Sequence, residues 1–446
     1  MSQPAQHRRG RKGPPIPDTI NVLLVGGGGR EHALAWRIAQ SPHLANLYVT
    51  HHDNPGLAAL AKPCSAPIEA REQWRLIKWC DQHKIDLVVV GPEGPLAEGL
   101  ADALAKESRL VFGVRKAAAQ IESNKAWAKQ LMRSSSVPTA EGRIFSNYEQ
   151  AVQYLESREE MPVIKASGLA AGKGVILPET LKEAIDALGQ IMKQRLFGAA
   201  GETVVIEERL SGPEVSIFAL VDGRNIYVLE ACQDHKRLLE GDGGPNTGGM
   251  GAYSPVAWLD DHMLARIEHE ILVPTVDALV REEIEYRGVL YAGLILTPAG
   301  PKVIEFNCRF GDPECQVLMT RLKSDVLAAL WATASGRLDE VELHWDDRAS
   351  CIFVMAAPGY PGTCPKGLPI TGLDDAAKIE NVNIFHAGTK RVDGHIVTSG
   401  GRVLGVTALG DTLSEARQRA LQACDLIHFE GAQLRRDIGA AAGALR

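Results

Sequence analysis

The sequence predicts an α/β protein of two to four domains that starts with a parallel, doubly wound sheet. One observation is the length of 446 residues, which is too long for a single hydrophobic core. A second is the alternation of short apolar strands and helices over the first ~100 ordered residues, which is typical of a parallel sheet covered by helices. A third is a change near Ala119, beyond which glycine-rich loops join the strands. The first domain is therefore expected to end near residue 118.

Composition and charge are those of an ordinary globular protein. Hydrophobic residues make up 45% and charged residues 23%, and the net charge of -7 argues against a basic nucleic-acid-binding surface. Eight cysteines without a CxxC pair are typical of reduced thiols in the cytoplasm. No apolar run approaches the ~20 residues that span a membrane, and the basic, proline-rich residues 1–18 lack the apolar core of a secretory signal. We expect a cytoplasmic protein with a disordered tail at residues 1–18 and no nucleic-acid or membrane partner.

The first ordered element is a strand at 21–25 that runs through four glycines, Gly26–Gly29, into a helix at 31–39. A helix N-terminus presents free N–H groups and a positive dipole end, so this turn predicts a phosphate site. The turn does not complete the G-x-G-x-x-G pattern, which argues against a nicotinamide or flavin site. A loop at 91–96 follows the strand at 87–90, and the two loops either share one pocket at the carboxyl ends of the strands or are ordinary tight turns. Further strands are predicted at 47–50 and 110–112, and further helices at 72–83 and 96–106.

The segment after residue 119 predicts a phosphate-binding flap. A helix at 124–133 leads to a strand that ends in Lys165, and the loop at 168–174 carries three glycines and Lys173. Glycines permit close backbone approach and movement, and lysines supply point charges to polyphosphate. No Walker pattern opens a helix here. A strand–loop–strand flap is favoured, with a plain hairpin loop as the alternative.

Two further segments are typical of ligand binding. The linker between strands at 204–207 and 215–221 can present backbone groups to an adenine edge and Glu214 to ribose hydroxyls, unless its glutamates simply face solvent. Six glycines at 241–251 are interleaved with Asp, Asn, Thr and Met, whereas a flexible linker would be rich in serine. This favours a structured binding loop. A helix near 262–285 and a strand at 289–296 follow.

The strand at 303–306 carries the residues most typical of a metal site. Strand side chains alternate between faces, so Glu305, Asn307 and Arg309 are expected to line one side together. Glu and Asn supply the hard oxygens that magnesium prefers, and Arg suits a phosphoryl oxygen. The alternative is a solvated edge strand. The last section, with strands at 351–356, 384–386 and 405–409 and a helix at 412–424, is interpreted as a packing domain that closes over the site.

Four motifs, taken in chain order, resemble those of the phosphoribosylamine–glycine ligase (glycinamide ribonucleotide synthetase) family of the ATP-grasp superfamily. They are GGGREHA at 27–33, GLAAGKGV at 168–175, GPNTGGMGAYSP at 244–255 and EFNCRFGDPE at 305–314. The resemblance, which covers about residues 21–439, implies central ATP-grasp domains and a C-terminal α+β domain. The implied bounds are 19–118 for the N-terminal phosphoribosylamine-binding domain, 119–342 for the ATP-grasp domain with a mobile subdomain at about 139–207, and 343–446 for the C-terminal domain.

The resemblance implies an enzyme that joins glycine to 5-phosphoribosylamine at the expense of ATP in de novo purine synthesis. Glycine's carboxylate attacks the γ-phosphate, and the amine captures the glycyl phosphate to give glycinamide ribonucleotide, ADP and phosphate. Such chemistry depends on positioning and charge neutralisation rather than on a protein nucleophile. The implied cofactors are ATP and Mg²⁺ or Mn²⁺, the implied partners are small-molecule substrates only, and the expected state is a monomer or weak dimer.

The same resemblance implies a role for individual residues. Those expected to hold ATP are Lys125, Lys165, Gly168, Gly172, Lys173, Gly174, Glu207, Leu210 and Glu214. Those expected to bind the other substrates are Gly27, Gly28, Gly29, Glu93, Asp234, Asn246, Thr247, Gly248, Gly249 and Glu314. The expected metal ligands are Glu305 and Asn307, and the expected catalytic residues are Arg309, Lys165 and Asp312.

Some positions depart from the family pattern. Ser167 stands where Asp is usual, Asn124 and Cys315 are unusual, and Gly293 stands where superfamily members often have a further carboxylate for the metal. Asp234 is the candidate for that missing ligand.

Two alternative functions remain open. Another ATP-grasp carboxylate–amine ligase or carboxylase is disfavoured by the motif at 244–255 and the turn at 311–314. A nucleotide-binding regulatory protein without turnover is disfavoured by the complete set of Lys165, Glu305, Asn307 and Arg309.

Overall fold

The computed structural model of the chain describes residues 12–170 and 173–440. The first domain contains strands β1 (Ile20–Val25), β2 (Leu44–Val49), β3 (Lys62–Pro63), β4 (Leu87–Val90) and β5 (Leu110–Phe112) and helices α1 (Gly29–Ile38), α2 (Pro55–Leu60), α3 (Gln73–Gln82), α4 (Glu93–Ala97) and α5 (Leu100–Leu104). The strands are all parallel and lie in the order β3-β2-β1-β4-β5. Strand β4 is buried throughout, as expected where helices cover both faces of a parallel sheet. The turns after β1 and β4 therefore lie side by side at the carboxyl edge.

Helices α6 (Lys116–Ser123) and α7 (Lys125–Ser134) lead into a small subdomain. It contains β6 (Gly142–Phe145), α8 (Tyr148–Glu156), β7 (Val163–Ala166), β8 (Val175–Ile176), α9 (Leu181–Leu188) and β9 (Val204–Glu207). The antiparallel sheet has the order β6-β9-β7-β8, and its apolar face and the two helices form a hydrophobic core separate from the larger ones. We call this subdomain, residues 139–207, the lid.

The central part of the chain forms a second antiparallel sheet. Its elements are β10 (Glu214–Asp222), β11 (Ile226–Val228), β12 (Gln233–Asp234), β13 (Arg237–Leu239), β14 (Gly243–Asn246), β15 (Gly251–Ser254), α10 (Asp261–Ile267), α11 (Val273–Arg281), β16 (Arg287–Thr297), β17 (Gly300–Asn307) and α12 (Glu314–Arg321). Strands β11-β10-β16-β17 form the sheet, and β13 and β14 pair as a separate hairpin. Residues 208–213 connect the lid to this sheet.

The C-terminal elements complete a sheet that begins in the central part. They are α13 (Val326–Ser335), β18 (Ala349–Ala356), α14 (Leu373–Ala376), β19 (Val382–His386), β20 (Thr389–Val392), β21 (His395–Thr398), β22 (Arg402–Gly410) and α15 (Leu413–Leu426). The antiparallel sheet has the order β12-β15-β18-β22-β19, so strands from both sides of residue 343 share it. The predicted α/β class, with an N-terminal parallel sheet and a C-terminal part of strands and helices, is confirmed.

Part of the segment predicted to be a disordered tail packs against the domain. Residues 1–11 lie outside the described residues, but Lys12 Nζ bonds Asp339 Oδ2 at 2.7 Å and Gly13 N donates to Ser335 O at 2.6 Å. Trp331 Nε1 also donates to Pro14 O at 3.1 Å. Composition predicted disorder because residues 1–18 are basic and rich in proline. Lys12, Gly13 and Pro14 contact residues more than 300 positions away along the chain, and His43 Nδ1 lies 3.0 Å from Pro17 O.

Two predicted helices are interrupted. The predicted helix at 96–106 breaks at Gly99, whose φ of 91° is left-handed, and becomes the C-terminal part of α4 followed by α5. The predicted helix at 262–285 is α10 and α11 joined by one wider helical turn at Glu268–Leu272. None of the helices in the described ranges is long and apolar enough to cross a membrane.

Candidate functional site

Strand β17 and the residues just after it carry the first group of polar side chains in the cleft between the lid and the central sheet. Arg309 Nη2 lies 3.4 Å from Asn307 Oδ1, and the charge of Arg309 also acts on Glu305, so the structure brings these three predicted residues together. The pairing of β16 with β17 shifts between Gly293 and Leu294, which leaves Ile304 as the extra residue of a bulge. The bulge turns Ile304 O towards the lid.

A cluster of carboxylates surrounds Lys236 beside β17. Lys236 Nζ lies 3.6 Å from Glu305 Oε1 and 3.9 Å from Glu214 Oε2. Burial lowers the pKa of Lys236, but Asp234, Glu305 and Glu214 outweigh burial and hold it well above its ordinary value. Burial opposes ionisation of Glu305, yet Lys236, Lys165 and other cations lower its pKa to about 2. Burial and the neighbouring carboxylates raise the pKa of Asp234 despite Lys236. Glu305 is thus a permanent anion.

The donors at this end of β17 fit a divalent cation. In the described part of the chain the carboxylate of Glu305 accepts no hydrogen bond, and the cation nearest to it is Lys236. An ionised carboxylate and the amide oxygen of Asn307 are hard ligands of the kind that magnesium takes together with substrate phosphates. Among the same residues no three His, Cys, Asp or Glu side chains converge into a complete metal site. Asp234 lies close enough to Glu305 for the two charges to interact, and its role as a further metal ligand stays a prediction. Gly293 pairs with Glu305 but has no side chain to offer.

Glu314 is enclosed by the protein below this cluster. It is 2% exposed, and Oε1 accepts hydrogen bonds from Tyr291 at 2.8 Å and Ser216 at 3.3 Å. Its Oε2 packs on Gly311, where an added Cβ would lie 2.3 Å away. Gly311 is thus required for the close approach of the turn to α12.

Arg309 links the first domain to the central sheet. Its guanidinium donates to Glu122 Oε1 at 2.8 Å and to Glu93 Oε2 at 3.2 Å, and Cys308 N donates to Glu122 Oε2 at 2.8 Å. Burial would lower the pKa of Arg309, but Glu122 and Glu93 raise it above its ordinary value. Burial opposes ionisation of Glu93, yet Arg309 and Arg30 keep the pKa of this carboxyl below its ordinary value.

The glycine turn after β1 approaches Asp312. Cβ atoms added at Gly28 and Gly29 would lie 3.6 and 3.7 Å from the Asp312 carboxylate oxygens. Gly28 N donates a hydrogen bond to Glu31 Oε2 at 2.7 Å. An added Cβ at Gly27 would meet His51 Cβ at 2.6 Å, so the three glycines permit close packing of the turn. The predicted phosphate turn and the Asp312 turn therefore lie against each other.

Asp312 is fixed by a residue of the C-terminal part. Arg402 Nη2 lies 3.1 Å from Asp312 Oδ2, and Gln316 Nε2 donates to Oδ1 at 2.8 Å. Burial opposes ionisation of Asp312, but Arg402 and Arg30 keep the pKa of the carboxyl below its ordinary value. The Asp312 carboxylate is therefore an oriented anion.

The glycine-rich loop is held from both sides. Arg402 Nη1 donates to Gly248 O at 2.6 Å, and Gly248 N donates to the hydroxyl of Tyr360 at 2.9 Å. Thr247 Oγ1 accepts from Gly249 N at 3.0 Å and donates to Lys236 O at 2.7 Å. Asn246 pairs with Arg237 in the hairpin of β13 and β14. The C-terminal part, interpreted from the sequence as packing, thus also contributes side chains to the pocket.

Lys165 of the lid and Lys125 of α7 lie on the opposite side of the cleft. Lys165 Nζ lies 2.7 Å from Glu207 Oε2 and donates to Ile304 O at 2.9 Å. Lys125 Nζ donates to Gly168 O at 3.2 Å. Burial lowers the pKa of Lys125, an effect that Glu305 opposes. The two lysines and Glu305 face one space.

The flap glycines are closely packed. Cβ atoms added at Gly168 and Gly174 would lie 2.6 Å from Ala200 Cα and 2.7 Å from Ala170 Cβ. Lys173 is exposed, and Gly172 lies outside the described residues. Ser167 Oγ donates to Asn124 Oδ1 at 2.9 Å and accepts from Ala126 N at 3.1 Å. Two of the departures from the family pattern, Asn124 and Ser167, therefore contact each other at the base of the flap.

The connection from the lid to the central sheet is hydrogen-bonded at both ends, by Glu208 N to Glu141 O at 2.7 Å and by Leu296 N to Pro213 O at 2.9 Å. Glu208 is tied to Lys302 at 2.8 Å, whereas Leu210 is half-buried and Glu214 exposed. The carboxylate of Glu207 points inward to Lys129 and Lys165. A contribution of Glu207 to adenine binding would therefore come from its backbone.

Several residues of the site were missed in the sequence. They are Arg30, Glu122, Lys129, Lys236, Tyr360 and Arg402. Two had a local signal, since Lys129 lies one helical turn after Lys125 and Lys236 two residues after Asp234. Arg30 lies within the motif at 27–33, and the other three come from segments without a polar pattern.

Family models match nearly the whole chain. The phosphoribosylglycinamide synthetase N domain matches residues 20–122, the ATP-grasp (A) domain matches residues 123–315 and the C domain matches residues 350–441. These spans follow the order of the three parts seen in the structure.

Curated relatives extend over the same region. The chain is 48% identical over 426 residues to the phosphoribosylamine–glycine ligase of Rhodopirellula baltica. This match covers 94% of this chain and 97% of that protein. It is 47% identical to the ligase of Haemophilus influenzae, with 94% and 98% covered. It is also 46% identical to the trifunctional purine biosynthetic protein adenosine-3 of Homo sapiens, over 94% of this chain and 41% of that protein.

Solved structures agree with these relatives. The crystal structure of phosphoribosylamine–glycine ligase from Thermotoga maritima superposes with a TM-score of 0.82 at 32% identity, over 94% of this chain and 100% of that one. A biotin carboxylase from Campylobacter jejuni superposes with a TM-score of 0.70 at 16% identity, over 94% and 93%, which indicates a shared fold. The chain belongs to the phosphoribosylglycinamide synthetase family, the phosphoribosylamine–glycine ligases of the ATP-grasp superfamily.

Proposed function

We propose that this chain catalyses the ATP-dependent ligation of glycine to 5-phosphoribosylamine, giving glycinamide ribonucleotide, ADP and phosphate through glycyl phosphate. One observation carries the proposal. Glu305, Asn307 and Arg309 lie between two lysines, Lys165 of the lid and Lys125 of α7, and the Asp312 turn. A phosphoryl donor and an amine acceptor can be held there within one cleft. No protein nucleophile is needed for such a transfer.

ATP is assigned to the cleft between the lid and β17. Lys125 and Lys165 meet its phosphates, and the flap carrying Gly168, Gly172, Lys173 and Gly174 covers them. The backbone from Glu207 to Leu210 meets adenine, and the exposed Glu214 meets the ribose hydroxyls. The support is the position of Lys125 and Lys165 beside Glu305 and of Glu214 beside Lys236.

A divalent metal ion, Mg²⁺ or Mn²⁺, is assigned to Glu305 and Asn307. When bound, it neutralises the charge of the triphosphate during transfer. Arg309 then stabilises the phosphoryl group that leaves ATP for the carboxylate of glycine. Glu93 and Glu122 keep its guanidinium in place for this purpose.

Phosphoribosylamine is assigned to the first domain. Its phosphate lies at the N-terminus of α1 against Gly27, Gly28 and Gly29, where the helix dipole and the backbone N–H groups other than that of Gly28, which Glu31 accepts, favour an anion. Glu93 meets its ribose. This position points the amine at the Asp312 turn, which is expected to orient it for attack on glycyl phosphate.

Glycine is assigned to the space between the glycine-rich loop and the carboxylates below it. Asn246, Thr247, Gly248 and Gly249 supply backbone and side-chain groups, and Asp234 and Glu314 lie beneath the loop. The loop and the lid together keep water from the acyl phosphate. The predicted cytoplasmic location and the monomer or weak dimer remain predictions.

The test is phosphate release from ATP and metal with phosphoribosylamine, in the presence and absence of glycine. We expect release that depends on glycine and a product with the mass of glycinamide ribonucleotide. Release that ignores glycine, or the absence of that product, contradicts the proposed reaction. Replacing glycine by alanine in the same assay measures how closely the loop fits its substrate.

A further inference from the structure

Lys129 is a buried lysine outside the residues assigned to ATP. It lies on α7, one turn after Lys125, and only 1% of it is exposed. Its ammonium lies 2.7 Å from Glu207 Oε1 and donates to Thr139 Oγ1 and Ala140 O, both at 2.8 Å. A lysine cation has three donors, so every one of them is used. The buried ammonium of Lys129 is therefore held in one position by its three partners.

The partners of Lys129 belong to both ends of the lid. Thr139 and Ala140 lead into β6, and Glu207 ends β9. Thr139 Oγ1 also donates to Val303 O of the central sheet at 2.9 Å. Lys129 therefore joins the two connections of the lid at the point where they meet the central sheet.

Glu207 is shared between Lys129 and Lys165. Each of its oxygens faces one ammonium at 2.7 Å, and the carboxylate is 5% exposed. Burial would raise the pKa of Glu207, but Lys165 and Lys129 outweigh burial and lower it. Among the described residues, Lys165 contacts the carboxylate of Glu207 and donates to the carbonyl of the bulged Ile304.

We propose that Lys129 is a positioning residue that holds Glu207 when Lys165 leaves it for the phosphates of ATP. The inference rests on the proposed function, in which Lys165 meets those phosphates. Without Lys129, moving Lys165 to ATP would leave a buried carboxylate with no cation, and such breaks of buried pairs are strongly unfavourable. With Lys129 in place, Glu207 keeps a partner in both states. Lys165 can then move to the nucleotide while Lys129 keeps its contacts with both ends of the lid.

The experiment measures binding of a non-hydrolysable ATP analogue, with metal, by calorimetry on the full chain. In Lys129→Met the dissociation constant is expected to rise at least fivefold, because Lys165 becomes the sole partner of Glu207. The double variant Lys129→Met/Glu207→Gln removes the buried anion and is expected to bind the analogue at least threefold more tightly than Lys129→Met. A purely structural loss at Lys129 would not be repaired by the second substitution.

Lys302→Met is the matched control. Lys302 pairs with the neighbouring Glu208 at 2.8 Å, but both side chains remain about a quarter or more exposed. The control is expected to change analogue binding less than threefold, since exposed pairs contribute little. A control that equals Lys129→Met overturns the role assigned to Lys129.

The remaining outcomes also separate the possibilities. A change below fivefold in Lys129→Met overturns the role of Lys129, and so does a double variant that binds the analogue less than threefold more tightly than Lys129→Met. If the single variant does not fold, as judged by circular dichroism, binding by the neutral double variant alone decides between support and rejection. Failure of the wild type to bind the analogue would instead contradict the proposed function.

Discussion

Replacing Glu305 by glutamine removes one negative charge from β17 while keeping the size of the side chain. The carboxylate lies 3.6 Å from Lys236 Nζ, and about a third of the side chain, 32%, is exposed. Its pKa of about 2 means that it is ionised at every pH at which the enzyme is assayed. The substitution therefore tests the charge alone. We expect weaker metal binding and slower turnover at a fixed metal concentration.

The magnitude follows from the separation of charges at this site. With the dielectric constant of water, about 80, one unit charge at the 3.6 Å separation of Lys236 from Glu305 is worth about 1.2 kcal/mol. A divalent ion at the same distance gains twice as much, about 2.3 kcal/mol, and this corresponds to about 50-fold in affinity. Direct ligation and the lower dielectric of the cleft increase the effect. About 50-fold is thus the smallest shift expected for the apparent metal constant.

Glu214→Gln is the matched control because it removes the same charge from the same lysine. Glu214 Oε2 lies 3.9 Å from Lys236 Nζ, and 47% of its side chain is exposed. We expect this variant to raise the KM for ATP through the lost ribose contact and to shift the metal constant less than tenfold. The assays are Mn²⁺ binding by electron paramagnetic resonance and glycine-dependent phosphate release against metal concentration.

Two results would refute the reasoning. Unchanged metal binding and turnover in Glu305→Gln would remove Glu305 from the metal site. An equal shift in both variants would show that the effect passes through Lys236 and not through a bound ion. Thermal unfolding without metal serves as the folding control, and both variants are expected to match the wild type.

Three other predictions address the remaining parts of the site and the fold. Gly27→Ala places a Cβ 2.6 Å from His51 Cβ and is expected to raise the KM for phosphoribosylamine at least tenfold, whereas Gly94→Ala meets nothing within 4 Å and should stay within threefold in the same steady-state assay. Arg402→Met frees both the Asp312 turn and Gly248, so the KM values for glycine and phosphoribosylamine should rise while nucleotide binding by calorimetry stays unchanged; weaker nucleotide binding would contradict the assigned role. Hydrogen bonds from Arg348 lower the pKa of Asp346 from 3.8 to about 2. Asp346→Asn is therefore expected to lower the free energy of unfolding by about 2 kcal/mol at neutral pH. Calorimetry should show the difference between the variant and the wild type shrinking as the pH falls from about 4 to about 2.

Strands were predictable where short apolar runs are bounded by glycine or proline. The strand predicted at 87–90 coincides with β4, and that at 204–207 coincides with β9. Burial on both faces selects such runs, so composition alone indicates them. The period of two also predicted that Glu305, Asn307 and Arg309 would meet, because that pattern is local.

The partners of these side chains were not predictable in the same way. Glu93 and Glu122 precede Arg309 by more than 180 residues, and Arg402 follows Asp312 by 90. Each pair is formed by the packing of one domain on another, for which a single sequence has no periodic signal. The packing of residues 12–18 was missed for the same reason.

The sheet that spans residue 343 has a consequence for dividing the protein into pieces. A chain that ended at residue 342 would lack β18, β19 and β22 and would leave β15 with an unpaired edge opposite β12. It would also lack Arg402, which holds the glycine-rich loop. Such exposed edges invite pairing with other chains. The C-terminal part is therefore not a removable module, and protein fragments meant to isolate the nucleotide site are expected to aggregate unless they retain β18 and its neighbours.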